Sequence, residues 1–262
     1  MIILTGNCNQ SSPYNYVQVE AVRSRGKKHE FNLSFLSNGE LRTSYDYLDG
    51  LGRTVQQVDQ AASPAGNDVV LPVEYDALGR TPKQYLPYVA SGQSGNYRAG
   101  AISDQASFYQ TNGDKITNTT HPFSQSVYDR SPLNRIIEQG SVGIAFQPVA
   151  DNPNNYTIKQ SYQTNNANEV RRWQYNYTNQ TISSNNFYGL NQLYVSEVRD
   201  EDNDAVWEYQ DKRGQTVLKK VEGDTEDLYT YYVHDAFNRL RLVKDQRRDI
   251  CQWYQYKTVD SE

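Results

Sequence analysis

The stretch YDALGR, residues 75–80, is six residues of turn chemistry set between two runs that read as strands. Gly79 supplies the positive φ that a tight hairpin turn demands, and Asp76 supplies a short acceptor for the turn's own N–H groups. Tyr75 closes the incoming strand. Arg80 opens the outgoing one, where its stem and guanidinium suit a neighbouring aromatic face. A single copy is one turn among many, but several copies are the unit of an architecture.

Four relatives occur: YLDGLGR at 47–53, YDRSPLNR at 128–135, YQDKRGQT at 209–216 and YVHDAFNRL at 232–240. Each begins with Tyr (Tyr47, Tyr128, Tyr209, Tyr232) and carries Asp one to three positions later (Asp49, Asp129, Asp211, Asp235). Each then reaches Gly or Asn (Gly52, Asn134, Gly214, Asn238). Arg53, Arg135 and Arg239 follow directly, and Gln215 takes that place after Gly214. Successive turn residues lie 27, 55, 80 and 24 positions apart, close to one, two, three and one multiples of a common unit. Weaker hairpin signals, TNGDK at 111–115 and YGLNQ at 188–192, fall in the gaps. A period in the twenties is that of an array of hairpins.

The flanks alternate as strands do. In EFNLSFLS, Phe31, Leu33 and Phe35 share one face; VQVEAVR, TVLKKV and WYQYKTV behave alike. YTIKQSY puts Tyr156, Ile158 and Tyr162 on one side and Thr157 and Lys159 on the other. Helix signals are confined to AISDQASFYQ, with Ile102, Ala106 and Tyr109 at helical spacing behind Ser103 as cap. The expected fold is all-β: consecutive hairpins forming a long curved antiparallel sheet, with at most one short helix. Residues 1–44 read as N-terminal strands and lead-in, 45–245 as the hairpin array, and 246–262 as the truncated start of a further strand.

Composition agrees. Hydrophobic residues are only 37 % of the 262 and mean hydropathy is −0.84, yet 22 Tyr, 7 Phe and 3 Trp are present. A disordered chain lacks such aromatics. Tyr gives a wide apolar face with a hydroxyl that stays wet, which suits thin, half-exposed sheets. A net charge of −5 and a pI near 5.3 argue against a general affinity for nucleic acid or anionic membranes. No apolar run approaches membrane-spanning length, and MIIL at the start is too short for a signal-peptide core. The two cysteines, Cys8 and Cys251, read as unrelated thiols, with one bridge joining the ends as the alternative in an oxidising compartment.

The motifs resemble the YD repeats of the Rhs family, large bacterial proteins whose β-hairpins wind into a hollow shell; the resemblance covers residues 45–245 unevenly. The ordered set YLDGLGRTVQQV, LPVEYDALGR, YLPY, FYQ, EVRDEDN, DKRGQTVLKK and TYYVHDAFNRL is similar to the domain of unknown function upstream of the repeats in large secreted Rhs proteins. That resemblance implies a shell enclosing a C-terminal toxin or effector, delivered by a secretion or injection apparatus. It implies as partners the rest of a longer Rhs polypeptide and its cargo, and a secreted or cell-surface location. The family's self-cleaving core with its Asp-Pro signature is missing, since the chain has no Asp-Pro dipeptide. An array of this length is too short to close around a folded cargo, so the chain is expected to be part of a longer shell.

Residues with chemistry of their own are few. His29, His121 and His234 share no metal-ligand spacing, and no nucleophile or P-loop signature occurs, so no enzyme activity and no cofactor are expected. Asp200, Asp202 and Asp204 have the 1, 3, 5 spacing that opens a calcium loop. However, Ala205 stands where the loop needs Gly and Asp211 replaces the bidentate Glu, so the segment reads as an acidic hairpin turn. The aromatic run Tyr229, Tyr231, Tyr232, Trp253, Tyr254 and Tyr256 suits either cross-strand packing or stacking on a sugar ring. The function expected is architectural: a wall or N-terminal cap of a shell. The alternative is a secreted or surface module that grips a glycan or receptor with exposed aromatics.

Overall fold

The computed structural model describes residues 2–7, 14–22, 41–111, 116, 118–149, 155–245 and 251–254. EFNLSFLS, Cys8, His29 and Tyr256 lie outside the described residues, as do most of TNGDK and the side chain of Cys251. The chain is mostly β, with 45 % in strands and 6 % helical, and among the described residues every pairing between strands is antiparallel. It divides into two compact units: Met1–Val127 with Gly140–Val149, and Tyr128–Gln139 with Ala150–Glu262.

The first unit holds a six-stranded sheet of β1 (Ile2–Asn7), β2 (Asn15–Val22), β3 (Leu41–Leu48), β4 (Thr54–Asp59), β5 (Val69–Pro72) and, beyond a short β6 (Lys83–Tyr85), β7 (Tyr88–Val89). β6 instead pairs with β8 (Phe123–Tyr128), Tyr85 opposite Phe123. One helix, α1 (Ala101–Thr111), precedes β8. Its buried face is Ala101 and Gln105 with Phe108 and Tyr109, whereas Ile102 is exposed; the expected stripe is thus rotated by one residue. Ser103 is the helix's third residue, and its hydroxyl donates to Gly100 O, a bond within the first turn rather than an N-cap. Gln105 is buried because its amide donates to Leu86 O and Pro122 O.

The core of this unit is Tyr47, Val58, Val70, Tyr88, Ala90 and Ala101, ringed by half-buried Tyr14, Tyr16, Tyr45 and Tyr97. Tyrosine carries much of the apolar area; Tyr47 OH donates to Gly95 O at 2.7 Å and Tyr85 OH to Glu74 Oε2 at 2.6 Å, whereas the buried Tyr88 OH makes no hydrogen bond among the described residues. Burial pushes the Tyr47, Tyr88 and Tyr97 phenols from 10.0 up to about 12. A phenol whose pKa is raised on folding gives its full stabilisation below pH 10 and loses it as pH rises toward the folded value. The unit is therefore expected to unfold between pH 10 and about 12, with a late tyrosinate absorbance step coinciding with loss of β-sheet circular dichroism. All 22 tyrosines ionising near pH 10 with the sheets intact would contradict this.

The second unit is a meander. β9 (Ile136–Gly140) is followed by β10 (Ile158–Thr164), then β11 (Arg171–Asn176), β12 (Thr181–Phe187), β13 (Tyr194–Arg199), β14 (Ala205–Gln210), β15 (Thr216–Val221), β16 (Leu228–His234), β17 (Leu240–Asp245) and β18 (Cys251–Trp253). β9 and β10 pair, β10 pairs with β13, and β13 to β18 follow in chain order, while β11 and β12 form a separate hairpin. YGLNQ accordingly makes a turn, with Asn191 at φ 58°, but it joins strands of different sheets.

Asn165 fixes that crossing. Buried, it receives the N–H groups of Gln192 and Leu193 on Oδ1 and gives its own amide to Gly189 O. The core beside it is Val170, Leu193, Val195, Tyr209 and Leu218. Leading into β10, Thr157 is buried and Tyr156 exposed, and within β10 Tyr162 is exposed, so the tyrosine side of YTIKQSY faces outward. Thr157 and Asn155 both donate to Glu138 Oε1, and that bonding holds the polar residue inside. Leu218 is 2 % exposed, and Leu218→Ala is expected to cost about 3 kcal/mol in urea unfolding. A loss below about 1 kcal/mol would mean the core collapses onto the gap.

Candidate functional site

The recurring motif builds a turn held by its own Asp each time. In four of the five motifs read from the sequence, the Asp N–H donates to the carbonyl four residues on, and the Gly or Asn N–H donates back to the Asp carbonyl. These are Asp49 with Arg53, Asp76 with Arg80, Asp211 with Gln215 and Asp235 with Arg239, the bonds lying between 2.8 and 3.0 Å. Gly52, Gly79, Gly214 and Asn238 sit at φ 78°, 77°, 78° and 63°, the left-handed conformation of a three-residue hairpin loop closed by a bulge. The strand pairing slips by one residue beside three of them.

The Asp side chain locks each turn. Asp49 Oδ1 accepts the N–H groups of Leu51 (2.8 Å) and Arg53 (3.0 Å), and Asp76 Oδ1 those of Leu78 and Arg80 (both 2.9 Å). Asp211 holds Arg213 and Gln215 in the same way, and Asp235 holds Phe237 and Arg239. The Arg after the turn residue reaches back with Nε to Oδ2: Arg53 at 2.8 Å, Arg80 at 2.7 Å and Arg239 at 2.9 Å. Arg N–H and guanidinium together hold Asp49 and Asp76 below the ordinary carboxylate range. At Asp129 the loop is longer: its N–H meets Arg135 O, its carboxylate takes the Ser131 hydroxyl and Arg135 Nε, and Asn134 is at φ 53°.

A sixth copy begins at Asp200. Its N–H donates to Asp204 O, Asn203 N donates to Asp200 O, and Asp200 Oδ1 accepts the N–H groups of Asp202 and Asp204. Asn203 stands at φ 72°. The oxygen that a calcium loop would present is thus occupied with the turn's own backbone, and Asp202 and Asp204 contribute N–H groups to it. Among the described residues no group of three or more His, Cys, Asp or Glu is arranged to hold a metal ion. The acidic hairpin turn expected here is thus present, and it belongs with the other five although no Tyr precedes it and no Arg follows. The common signal is Asp-x-x-Gly/Asn, which Asp200–Asn203 shares with Asp235–Asn238.

Neighbouring turns touch. Arg53 lies over the Tyr75 ring at 4.3 Å, and Tyr75 OH donates to Thr54 O. Arg213 Nη1 reaches Asn238 Oδ1 at 3.1 Å. Of the motif tyrosines, Tyr47 and Tyr209 are core residues, while Tyr75, Tyr128 and Tyr232 are half-buried. Asp235 is the most enclosed anchor. Burial works to raise its pKa, yet the Arg239 N–H, the Arg241 and Arg239 guanidinium groups and the Phe237 N–H together hold it far below the usual range. The aromatics considered for ligand stacking divide. Tyr229 and Tyr231 pack against the core, Tyr231 edge-on to Trp173 at 5.9 Å; Tyr254 is half-buried and Trp253 exposed. His234 is half-buried in β16 and lowered from 6.5, chiefly by burial.

What fold and site define is an antiparallel hairpin domain whose recurring feature is a carboxylate-locked turn. Residues 20–164, more than half of the chain, match the family described as Domain of unknown function (DUF6443), and the chain belongs to that family. Among solved structures it is similar in fold to a stretch of the crystal structure of TcdB2-TccC3-TEV, with a TM-score of 0.51 and 14 % identity. That likeness covers 89 % of this chain and 10 % of the other. The crystal structure of TcdB2-TccC3-Cdc42 matches at a TM-score of 0.48, with the same identity and coverage. No curated protein matches the sequence. Among the described residues no helix is long and apolar enough to cross a membrane.

Proposed function

We propose that this domain is a wall or N-terminal cap segment of an Rhs-type β-shell that encloses a C-terminal toxin or effector and helps deliver it. The observation that carries the reading is the repetition of one self-locked turn between strands that bury only half of each face. Such hairpins extend a sheet strand by strand, and sheet of this kind is building material. The fold likeness supports it, since the chain spans about a tenth of the length of that neighbour. The partners are then the remainder of the same polypeptide and its cargo, and the setting is secreted or at the cell surface. Neither nucleic acid nor a bilayer is a partner on this reading, and the domain performs no catalysis.

An antibody to this domain tests the reading on immunoblots of source cells and medium. A band far above 30.1 kDa is expected, together with a C-terminal fragment that resists protease until the shell is denatured. A native product of 30.1 kDa would overturn it.

A further inference from the structure

The second unit carries an open cleft of about 760 Å³ on the sheet face built by β10, β13 and β14. Cross-strand register decides what lines it. Thr164, Tyr194 and Gln210 form one row across the three strands, and Tyr162, Ser196 and Glu208 form the next. Side chains two apart share a face, so both rows look into the cleft, while Val195 and Tyr209 belong to the core. These strands are interior, each flanked on both sides, so no free edge is offered for a peptide to extend the sheet.

The two tyrosines differ in what they offer. Tyr162 has the Arg135 guanidinium 4.6 Å from its ring centroid and gives its hydroxyl to Gln160 Oε1 at 2.9 Å, so it is a fixed side wall. Tyr194 is 59 % exposed and takes part in no ring pair, cation–π contact or side-chain hydrogen bond among the described residues. Leu190, also exposed, extends the apolar floor. Glu208 is fixed by the Thr216 hydroxyl and the Gln210 amide, both on Oε1, which leaves Oε2 as an acceptor. Those bonds also hold it below the ordinary Glu range. Arg135 is already paired with Asp129 at 2.8 Å.

We propose that this cleft binds a neutral oligosaccharide, one hexopyranose ring lying with its C–H face on Tyr194 and its hydroxyls met by Gln210, Glu208 and Asn191. The chemistry is specific to that class. A polyhydroxyl ligand needs an apolar platform for its ring face and, around the rim, donors and acceptors together, which amides, hydroxyls and one carboxylate supply. An anionic sugar would need an uncommitted cation, and Arg135 is committed. An apolar peptide would leave the Glu208 carboxylate desolvated.

The test uses the 262-residue chain on an array of neutral glucose-, galactose- and N-acetylglucosamine-based oligosaccharides, followed by calorimetric titration of the best binder. Millimolar to micromolar binding is expected. Tyr194→Ala should weaken it about tenfold or more, and Tyr194→Trp should keep it, because the platform matters rather than the hydroxyl. Both variants should melt with the wild type, since the side chain is exposed. No binder on the array would overturn the proposal. So would binding that survives Tyr194→Ala, which would move the site to Trp253 and its neighbours. A dimer that Tyr194→Ala dissociates, with no sugar bound, would overturn it in favour of a second copy as occupant.

Discussion

Asp235→Ala is expected to lower stability by about 3 kcal/mol, and more than the same change at any other turn anchor. Its carboxylate is wholly buried and accepts two backbone N–H groups and two guanidinium groups, Arg239 Nε at 2.9 Å and Arg241 Nε at 2.8 Å. Removing it takes the carboxylate from the Arg241 guanidinium, which is only 11 % exposed, and leaves two N–H groups without an acceptor. Arg239 is more exposed and recovers solvation, which keeps the loss below that of a fully buried triad. Asp200→Ala is the control. It removes the same pair of backbone bonds from an exposed turn whose carboxylate holds no Arg, and should cost below about 1 kcal/mol.

Urea unfolding of both variants measures the difference, and equal losses would refute the account. Acid gives an independent reading of the same carboxylate. Its folded-state pKa is depressed, so its contribution is full above the unfolded value near 3.8 and is lost as pH falls below that. Asp49, Asp76 and Asp129 are shifted in the same direction, so the acid transition should steepen in one window. Asp235→Ala should flatten it.

Gly95→Ala is expected to cost the first unit about 3–4 kcal/mol. Gly95 has φ 67°, and a Cβ there would collide with Cε2 of Tyr45 and lie 2.8 Å from its Cδ2. The backbone cannot retreat, because Gly95 N donates to Asp68 Oδ2 at 2.9 Å and Gly95 O receives the Tyr47 hydroxyl. Tyr45 cannot easily give way either, packed edge-on against Tyr16 at 5.6 Å. The strained φ and the overpacking therefore add. Gly52→Ala has nearly the same φ with nothing within 4 Å of the new Cβ, so only about 1–2 kcal/mol of left-handed strain remains. Near-UV circular dichroism, which reports the tyrosine cluster, should change for Gly95→Ala and not for Gly52→Ala. Similar losses for the two would mean that Tyr45 swings aside at no cost.

The turns were legible because their chemistry is local. Asp, the left-handed Gly or Asn, and the returning Arg or Gln all lie within seven residues, and the five motifs read from the sequence each place Asp on its own turn backbone. The strands beside them were legible from alternation. What lay outside local reach was not legible. Thr157 is inside and Tyr156 outside because Glu138, nineteen residues earlier, receives the Thr hydroxyl. The cleft depends on β10 pairing with β13 across an inserted hairpin, which Asn165 secures with bonds spanning 24 to 28 residues. No short window contains that information. The turn at Asp200 was legible as an acidic hairpin from its own residues, but its kinship with the other five was not. It lacks their Tyr and Arg, and the geometry requires only Asp and a residue tolerant of positive φ.

The meander from β13 to β18 has a kinetic corollary. Each strand pairs with the one before it, and three of its connecting turns are closed by an Asp from within. Loop closure is short at every step, so the entropy lost before contact is small and contact order is low for a β protein. A chain emerging from the ribosome can add each hairpin to the last as it appears, without waiting for distant partners. For a sheet of this kind, the order of synthesis is also the order of assembly.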